Sequence, residues 1–361
     1  MAEKHYFACG NTSNGFQNMF ESNLQGLKKI YILKGGPGTG KSTLMKKVGK
    51  MYVDKGYDVE YIHCSSDPDS LDGVIVREIS VGIVDGTAPH VIEPKVVGAI
   101  EEYVNLGVAW NIGLLEKHTN DIKELQDQIS ACYPKAYETF AEALKIHDEW
   151  EKIYIDNMDF EKADELTEKV CEMLLGGCDK REGGVTRHRF FGGSTPKGAI
   201  DYVDNIISSC EKRYFIKGRP GSGKSTMLKK ILNKAEGLGL EVEVYHCGFD
   251  PNSLDMILLP ELKLCIFDST APHEYEPSHD GDAIIDMYTE LIKPNTDERY
   301  ESELNNIKKR YNETVTKGIS YLKKAKDLHD ALEKYYIAAT NYDVIEKITS
   351  DVIACIVARE A

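Results

Sequence analysis

The chain has 361 residues, enough for two domains with cores of their own. Hydrophobic residues make up 42% and charged residues 29%, the balance of a soluble globular protein, and the formal net charge of −15 argues against a general grip on nucleic acid, whose phosphates would be repelled. No apolar run reaches membrane-spanning length, the start Met1-Ala2-Glu3-Lys4-His5-Tyr6-Phe7 lacks an apolar export core, and the nine cysteines are scattered without a C-x-x-C pair, so a cytoplasmic protein with reduced thiols is expected, with no zinc site and no disulfide framework.

In chain order, Tyr6-Phe7 reads as a short strand followed by a helix-like segment. Ile30-Tyr31-Ile32-Leu33 reads as a buried strand, and it runs into Gly35-Gly36-Pro37-Gly38-Thr39-Gly40-Lys41-Ser42-Thr43. That nonapeptide fits G-x-x-x-x-G-K-[ST] at every required position. The glycines let a tight loop turn its backbone N–H groups inward, and the helix opening at the lysine adds its positive end, so the stretch suits a phosphate. Leu44-Met45-Lys46-Lys47-Val48 continues as an amphipathic helix, whose lysines are expected on a solvated face. A second strand is expected at Val59-Glu60-Tyr61-Ile62 and a third at Val81-Gly82-Ile83-Val84, ending on Asp85.

The whole pattern recurs 183 residues on. Gly218-Arg219-Pro220-Gly221-Ser222-Gly223-Lys224-Ser225-Thr226 repeats the loop, and about 35 of 90 positions are identical when 5–94 is laid on 188–277 without a gap. His63-Cys64-x-x-Asp67-Pro68-x-Ser70-Leu71-Asp72 pairs with His246-Cys247-x-x-Asp250-Pro251-x-Ser253-Leu254-Asp255, and Asp85-x-Thr87-Ala88-Pro89-His90 with Asp268-x-Thr270-Ala271-Pro272-His273. After Pro94 strand signals vanish and helical periodicity takes over. The second copy changes in the same way, and His147-Asp148-x-x-Glu151-Lys152-x-Tyr154-Ile155 is echoed by His329-Asp330-x-x-Glu333-Lys334-x-Tyr336-Ile337. The expected organisation is therefore an α/β core at 1–95, a helical appendage at 96–178, a second core at 185–278 and a second appendage at 279–361. Each core should carry a short parallel sheet with flanking helices, and each appendage a helical hairpin or small bundle. The Gly-rich charged stretch from Gly176-Gly177 to Gly183-Gly184 marks the boundary.

Lys41 and Lys224 are placed to neutralise the outer phosphates of a nucleotide, and Ser42 and Ser225 to hold magnesium together with the strand-end carboxylates Asp85 and Asp268. His90 and His273 are open to two readings: sensing the outer phosphate or orienting water, or serving as capping or core histidines. Many ATP hydrolases place a glutamate directly after the strand-end aspartate. Gly86 and Ser269 stand there instead, so a water-polarising group must come from elsewhere or hydrolysis is slow. Glu78 and Glu261 precede the third strand and should lie at its far end; Asp67, Asp72, Asp250 and Asp255 should lie on the crevice side, where turn and cap roles fit equally well. His63-Cys64 and His246-Cys247 make only a weak metal pair. The F-x-x-G-x-T-x-x-G stretch ahead of each loop strand suits a structural hairpin, with lining of a base or ribose pocket as the other use. No N-K-x-D or T-K-x-D base-reading motif follows the third strand, which favours ATP over GTP, and no L-S-G-G-Q-type signature is present.

At these residues the chain resembles the phosphate-loop (Walker A) NTPase superfamily. Its tandem arrangement is similar to an uncharacterised family of bacterial tandem-repeat ATPases. The resemblance covers about half of the chain and implies ATP binding, magnesium and a cytoplasmic location; it names no substrate. The expected function is a magnesium-dependent ATPase with two duplicated sites, acting as a nucleotide-driven switch on a protein or small-molecule partner at the helical appendages. The alternatives are a small-molecule or nucleotide kinase and an ATP-gated binding module with negligible turnover. Arg219, standing where the first copy has Gly36, is a candidate for an arginine acting in trans.

Overall fold

A computed structural model describes residues 3–360; Met1, Ala2 and Ala361, at the outer ends of segments 1–95 and 279–361, lie outside the described residues. The first half contains β1 (Glu3–Phe7), a hairpin of β2 (Cys9–Thr12) and β3 (Gly15–Asn18), α1 (Phe20–Asn23), β4 (Lys29–Lys34), α2 (Lys41–Asp54), β5 (Val59–Cys64), β6 (Asp67–Val76), β7 (Val81–Asp85), β8 (Glu101–Asn105), α3 (Ile112–Glu116), α4 (Thr119–Ile155) and α5 (Phe160–Leu175). The second half repeats it with β9 (Thr186–Phe190), β10 (Gly192–Thr195), β11 (Gly198–Asp201), α6 (Val203–Ile207), β12 (Lys212–Lys217), α7 (Lys224–Gly237), β13 (Val242–His246), β14 (Leu254–Leu259), β15 (Leu264–Asp268), β16 (Asp282–Asp286), α8 (Met287–Leu291), α9 (Thr296–Arg299), α10 (Glu301–Ala339) and α11 (Tyr342–Val357).

The protein is a mixed α/β molecule built on one large sheet. Twelve strands run in the order β16-β12-β15-β14-β13-β9-β1-β5-β6-β7-β4-β8. Read outward from the middle, the order is the same on both sides. The halves meet where β1 and β9 pair antiparallel at Phe7 and Phe190, which relates them by an approximate two-fold axis. Two separate parallel sheets were expected; the sheet is continuous and mixed. β6 runs antiparallel to both β5 and β7, and β14 antiparallel to β13 and β15. These two strands escaped the sequence reading because Asp67-Pro68-Asp69-Ser70 and Gly73 look like turn residues. Gly73 is there for packing, since a Cβ would stand 3.0 Å from Ile62 Cδ1.

The segments expected to be purely helical each begin with an edge strand, β8 and β16, lying parallel beside β4 and β12. Nor do the appendages form separate bundles. α4 and α10 lie antiparallel along each other: His118 meets Tyr335 at one end, Phe140 meets Gly318 in the middle, and Glu149 meets Arg310 further on. With 37 and 39 residues they are about 55–60 Å long, enough to span both halves.

Because the helices cross, each appendage docks on the opposite half. Ile345, Val352 and Ile356 of α11 enter the core formed by Leu44, Met45, Val48 and Tyr52 of α2 and the first-half strands. Val170, Cys171, Leu174 and Leu175 of α5 enter the core around Met227, Leu228 and Ile231 of α7. Each of these larger side chains, fully buried, contributes about 1.5–3 kcal/mol. Exposed pairs such as Lys47–Glu346 and Lys230–Asp164 border these contacts.

Candidate functional site

Each glycine loop is bracketed by a strand and a helix. Leu33 of β4 lies in register with Asp85 of the parallel β7, so the loop and this carboxylate leave the sheet side by side. Gly38 (φ 66°) and Gly40 (φ 84°) adopt the left-handed backbone the loop requires, as do Gly221 (φ 74°) and Gly223 (φ 88°). Gly40 caps α2, and Lys41 is the first residue of that helix; Gly223 and Lys224 repeat this on α7. Thr39 Oγ1 donates to the Gly36 carbonyl at 2.8 Å, holding the loop closed across Pro37.

The lysines fold back onto their loops. Lys41 Nζ donates to the carbonyls of Gly35 (2.6 Å) and Gly36 (3.0 Å) and stands 3.5 Å from Asp85 Oδ2. Lys224 Nζ donates to the Arg219 carbonyl at 3.0 Å and stands 3.5 Å from Asp268 Oδ2. Ser42 Oγ accepts from the Leu71 N–H and Ser225 Oγ from the Leu254 N–H, both at 3.0 Å, which ties each hydroxyl oxygen to the neighbouring antiparallel strand. Thr43 and Thr226 follow in the first turn of each helix.

Asp85 accepts from the Thr87 N–H (2.8 Å) and hydroxyl (2.6 Å), and Asp268 is bound in the same way by Thr270. Beside them lie Asp72 and Asp255, brought in by the antiparallel strands and buried. Burial raises Asp72 to about 6, with Asp85 adding to the effect while His90 and Lys41 oppose it. Burial likewise raises Asp255 to about 7, with Asp268 adding and His273 and Lys224 opposing.

The two histidines differ. His90 is 5% exposed, stacks on Phe20 with ring centroids 5.8 Å apart, and brings Nε2 to 3.4 Å from Asp72 Oδ1, yet neither ring nitrogen makes a hydrogen bond. His273 instead bonds Asp201 at 2.7 Å, and Tyr275 donates to the same carboxylate. Burial opposes a charged His273, but Asp201 and Asp255 outweigh it and its pKa is raised. The equivalent positions in the first half are Asn18 and Ile92, so that network has no counterpart there.

Other candidates lie apart from the loops or have structural partners. Glu78 and Glu261 sit at the far end of the strands, accepting from the N–H groups of Asp58 and Glu241. Cys64 and Cys247 are half-buried residues whose thiol pKa values desolvation pushes up. His63 bonds His5, and His246 bonds His188, each at 2.9 Å, which absorbs them into strand pairing. Asp67 faces Lys326 of α10 at 3.5 Å. The Arg219 guanidinium is held by Asp297 at 2.8 Å and lies over the Tyr288 ring, so it is already engaged within its own half. Lys46 donates to the Asp69 carbonyl and Lys47 pairs with Glu346, both at the surface of α2.

The crossed helices roof both loops. A Cβ built at Gly38 would stand 2.7 Å from Ile337 Cγ1 and 2.9 Å from Glu333 Cγ, and one at Gly36 3.2 Å from Trp110 Cζ2. Tyr342 donates to the Gly38 carbonyl at 2.8 Å. At the other loop a Cβ on Gly221 would stand 2.6 Å from the Glu151 carbonyl oxygen. Glu333 and Glu151 occupy equivalent places in the repeated H-D-x-x-E-K-x-Y-I stretch. That echo was visible in the sequence, but nothing in it told which loop each helix would reach. Comparison with protein-family models, with curated proteins and with solved structures gives no match. Among the described residues no helix is long and apolar enough to cross a membrane.

Proposed function

We propose that the chain binds ATP with magnesium on both glycine loops and hydrolyses it, with the two sites acting as a switch on the crossed helices. The observation that carries this reading is the repeated constellation of a left-handed glycine loop, a lysine opening the following helix, and a carboxylate 3.5 Å from that lysine at the end of the adjacent parallel strand. A loop of inward N–H groups at a helix N-terminus favours phosphate, and the lysine adds positive charge where the outer phosphates would lie.

The donor set fits magnesium. Ser42 with Asp85, and Ser225 with Asp268, offer hard oxygen ligands of the kind this ion prefers. Bound there, the ion would supply positive charge to the phosphate oxygens. The residues of the chain orient the nucleotide, hold the carboxylates through Thr87 and Thr270, and cover the site with the helical roof.

A kinase reading draws on Asp72 and Asp255, buried carboxylates beside the loops that are suited to taking a proton from an acceptor hydroxyl. Product analysis separates the two. Purified protein with magnesium and ATP should release free phosphate in equal amount to ADP without any added acceptor, and Lys41→Ala/Lys224→Ala should lower that rate at least a hundredfold. ADP formation that appears only with an added acceptor, with the phosphate recovered on it, would establish the kinase instead.

A further inference from the structure

We infer that each nucleotide site is completed in trans: Glu333 of α10 serves the loop 35–43, and Glu151 of α4 serves the loop 218–226, each as the base for the attacking water. This rests on the hydrolase reading above and adds the group that reading lacks. The position after the strand-end aspartate, where a water-polarising glutamate is often found, holds Gly86 in one half and Ser269 in the other.

Three independent features converge on the two glutamates. The first is position: the side chain of Glu333 packs on Gly38 and the backbone of Glu151 packs on Gly221, the same loop glycine in each half. The second is chemistry. The Lys224 charge acts on both Glu151 and His147, opposing the rise that burial gives Glu151 and adding to the fall that burial gives His147. Burial raises the Glu151 pKa, with Asp148 and Asp250 adding to it, which moves the carboxylate toward the range of an effective base. His147 stands 3.7 Å from Glu151, and His329 and Asp330 group with Glu333 in the same way. The third is recurrence. The two long helices differ over most of their length, yet both keep this turn where the opposite loop is met.

The chemistry balances with ATP and water alone. The water oxygen forms a bond to the γ-phosphorus as the bond from that phosphorus to the β,γ-bridging oxygen breaks. The electron pair of the broken bond leaves on ADP. The proton lost by the water passes to the Glu333 or Glu151 carboxylate and returns to solvent as phosphate departs. Since each base travels on a helix rooted in the other half, neither site is complete unless the crossing is intact.

Crossed pairs of substitutions test the assignment. Lys41→Ala leaves turnover to the loop 218–226, so adding Glu151→Gln should remove it by a further hundredfold, whereas adding Glu333→Gln should change it less than twofold. Lys224→Ala should show the opposite dependence. ATP binding, followed through Trp110 beside the first loop and through Trp150, which adjoins Glu151 in the chain, should persist in both glutamate variants, which separates loss of chemistry from loss of fold. Dependence on the glutamate of the same half, or on neither, would overturn the trans assignment while leaving the hydrolase reading in place. Where one lysine change silences both sites, Glu151→Gln/Glu333→Gln decides: a rate within twofold of the unaltered chain overturns the proposal, and a fall beyond a hundredfold with ATP still bound upholds it. No phosphate release from the unaltered chain would sink the hydrolase reading itself, and the trans base with it.

Discussion

Positions 6 and 189 are equivalent in the repeat, yet one is tyrosine and the other arginine. They meet across the two-fold axis, with the Arg189 guanidinium 4.0 Å from the centre of the Tyr6 ring. Arg189 is fully buried and bonds Glu60 (3.0 Å), Glu243 (2.8 Å) and the Asn23 side chain (2.9 Å). Glu60 and Glu243 are themselves equivalent, so a symmetric seam would bury two carboxylates with two arginines or with none. One arginine between them, with Lys4 and Arg77 at the margins, resolves the charge. Burial would raise both carboxyls, but the cations reverse this. Glu60 is held well below its ordinary 4.5, chiefly by Arg189 and Arg77, and Glu243 is lowered to about 2, chiefly by Arg189 and Lys4. A lowered folded-state pKa gives stability that is fully present above about 4.5 and is lost as pH falls toward those lower values. Arg189→Ala leaves buried charges unpaired and should cost about 3–5 kcal/mol in denaturant unfolding at pH 7. The deficit should shrink as the pH falls toward 3, where the carboxyls take up protons. A loss under about 1 kcal/mol at pH 7 would mean that water or another cation replaces the guanidinium. Nothing in the sequence flagged this residue, since a lone arginine in a strand ordinarily reads as exposed.

Among the elements, the crossing of α4 and α10 carries most of what the sequence concealed. Helical periodicity made both helices legible. An amphipathic stripe, however, says that a face is covered and leaves open which element covers it. The crossing point is set by size: Phe140 is fully buried, and a Cβ at Gly318 would collide with its ring. Gly318→Ala would gain about 1 kcal/mol in an open helix. Here overpacking, typically about 1–3 kcal/mol, should win, and thermal unfolding should shift downward. A rise in melting temperature would show that the helices are free to slide apart at this point. The glycine loops illustrate the opposite case. Their backbone geometry is local, so the residues that make the turn are contiguous and the sequence reveals them. Asp72 and Asp255 were only half legible. Their nearness to the loops was expected, but not that they lie on antiparallel strands, because Asp67-Pro68 and Gly73 carry the marks of a turn.

For the molecule as a whole, duplication and exchange are coupled. The repeat foretold two similar halves, and the β1–β9 junction fuses their sheets into one. Each loop is roofed in part by the helix that begins in the other half. A change at one loop that displaces Ile337 and Glu333 acts on a helix whose other end packs against the loop-bearing half across the seam. The two sites should therefore be linked through rigid elements. They also differ locally, since His90 lacks a bonded partner and His273 has Asp201, so equal affinities are not required. Titration calorimetry of magnesium-ATP into the unaltered chain tests the central claim most directly. Two nucleotides should bind per chain, one should remain after Lys41→Ala or Lys224→Ala, and none should bind measurably when both lysines are replaced. Binding that keeps its stoichiometry in the double variant, or no binding to the unaltered chain, would contradict the assignment of the glycine loops as nucleotide sites.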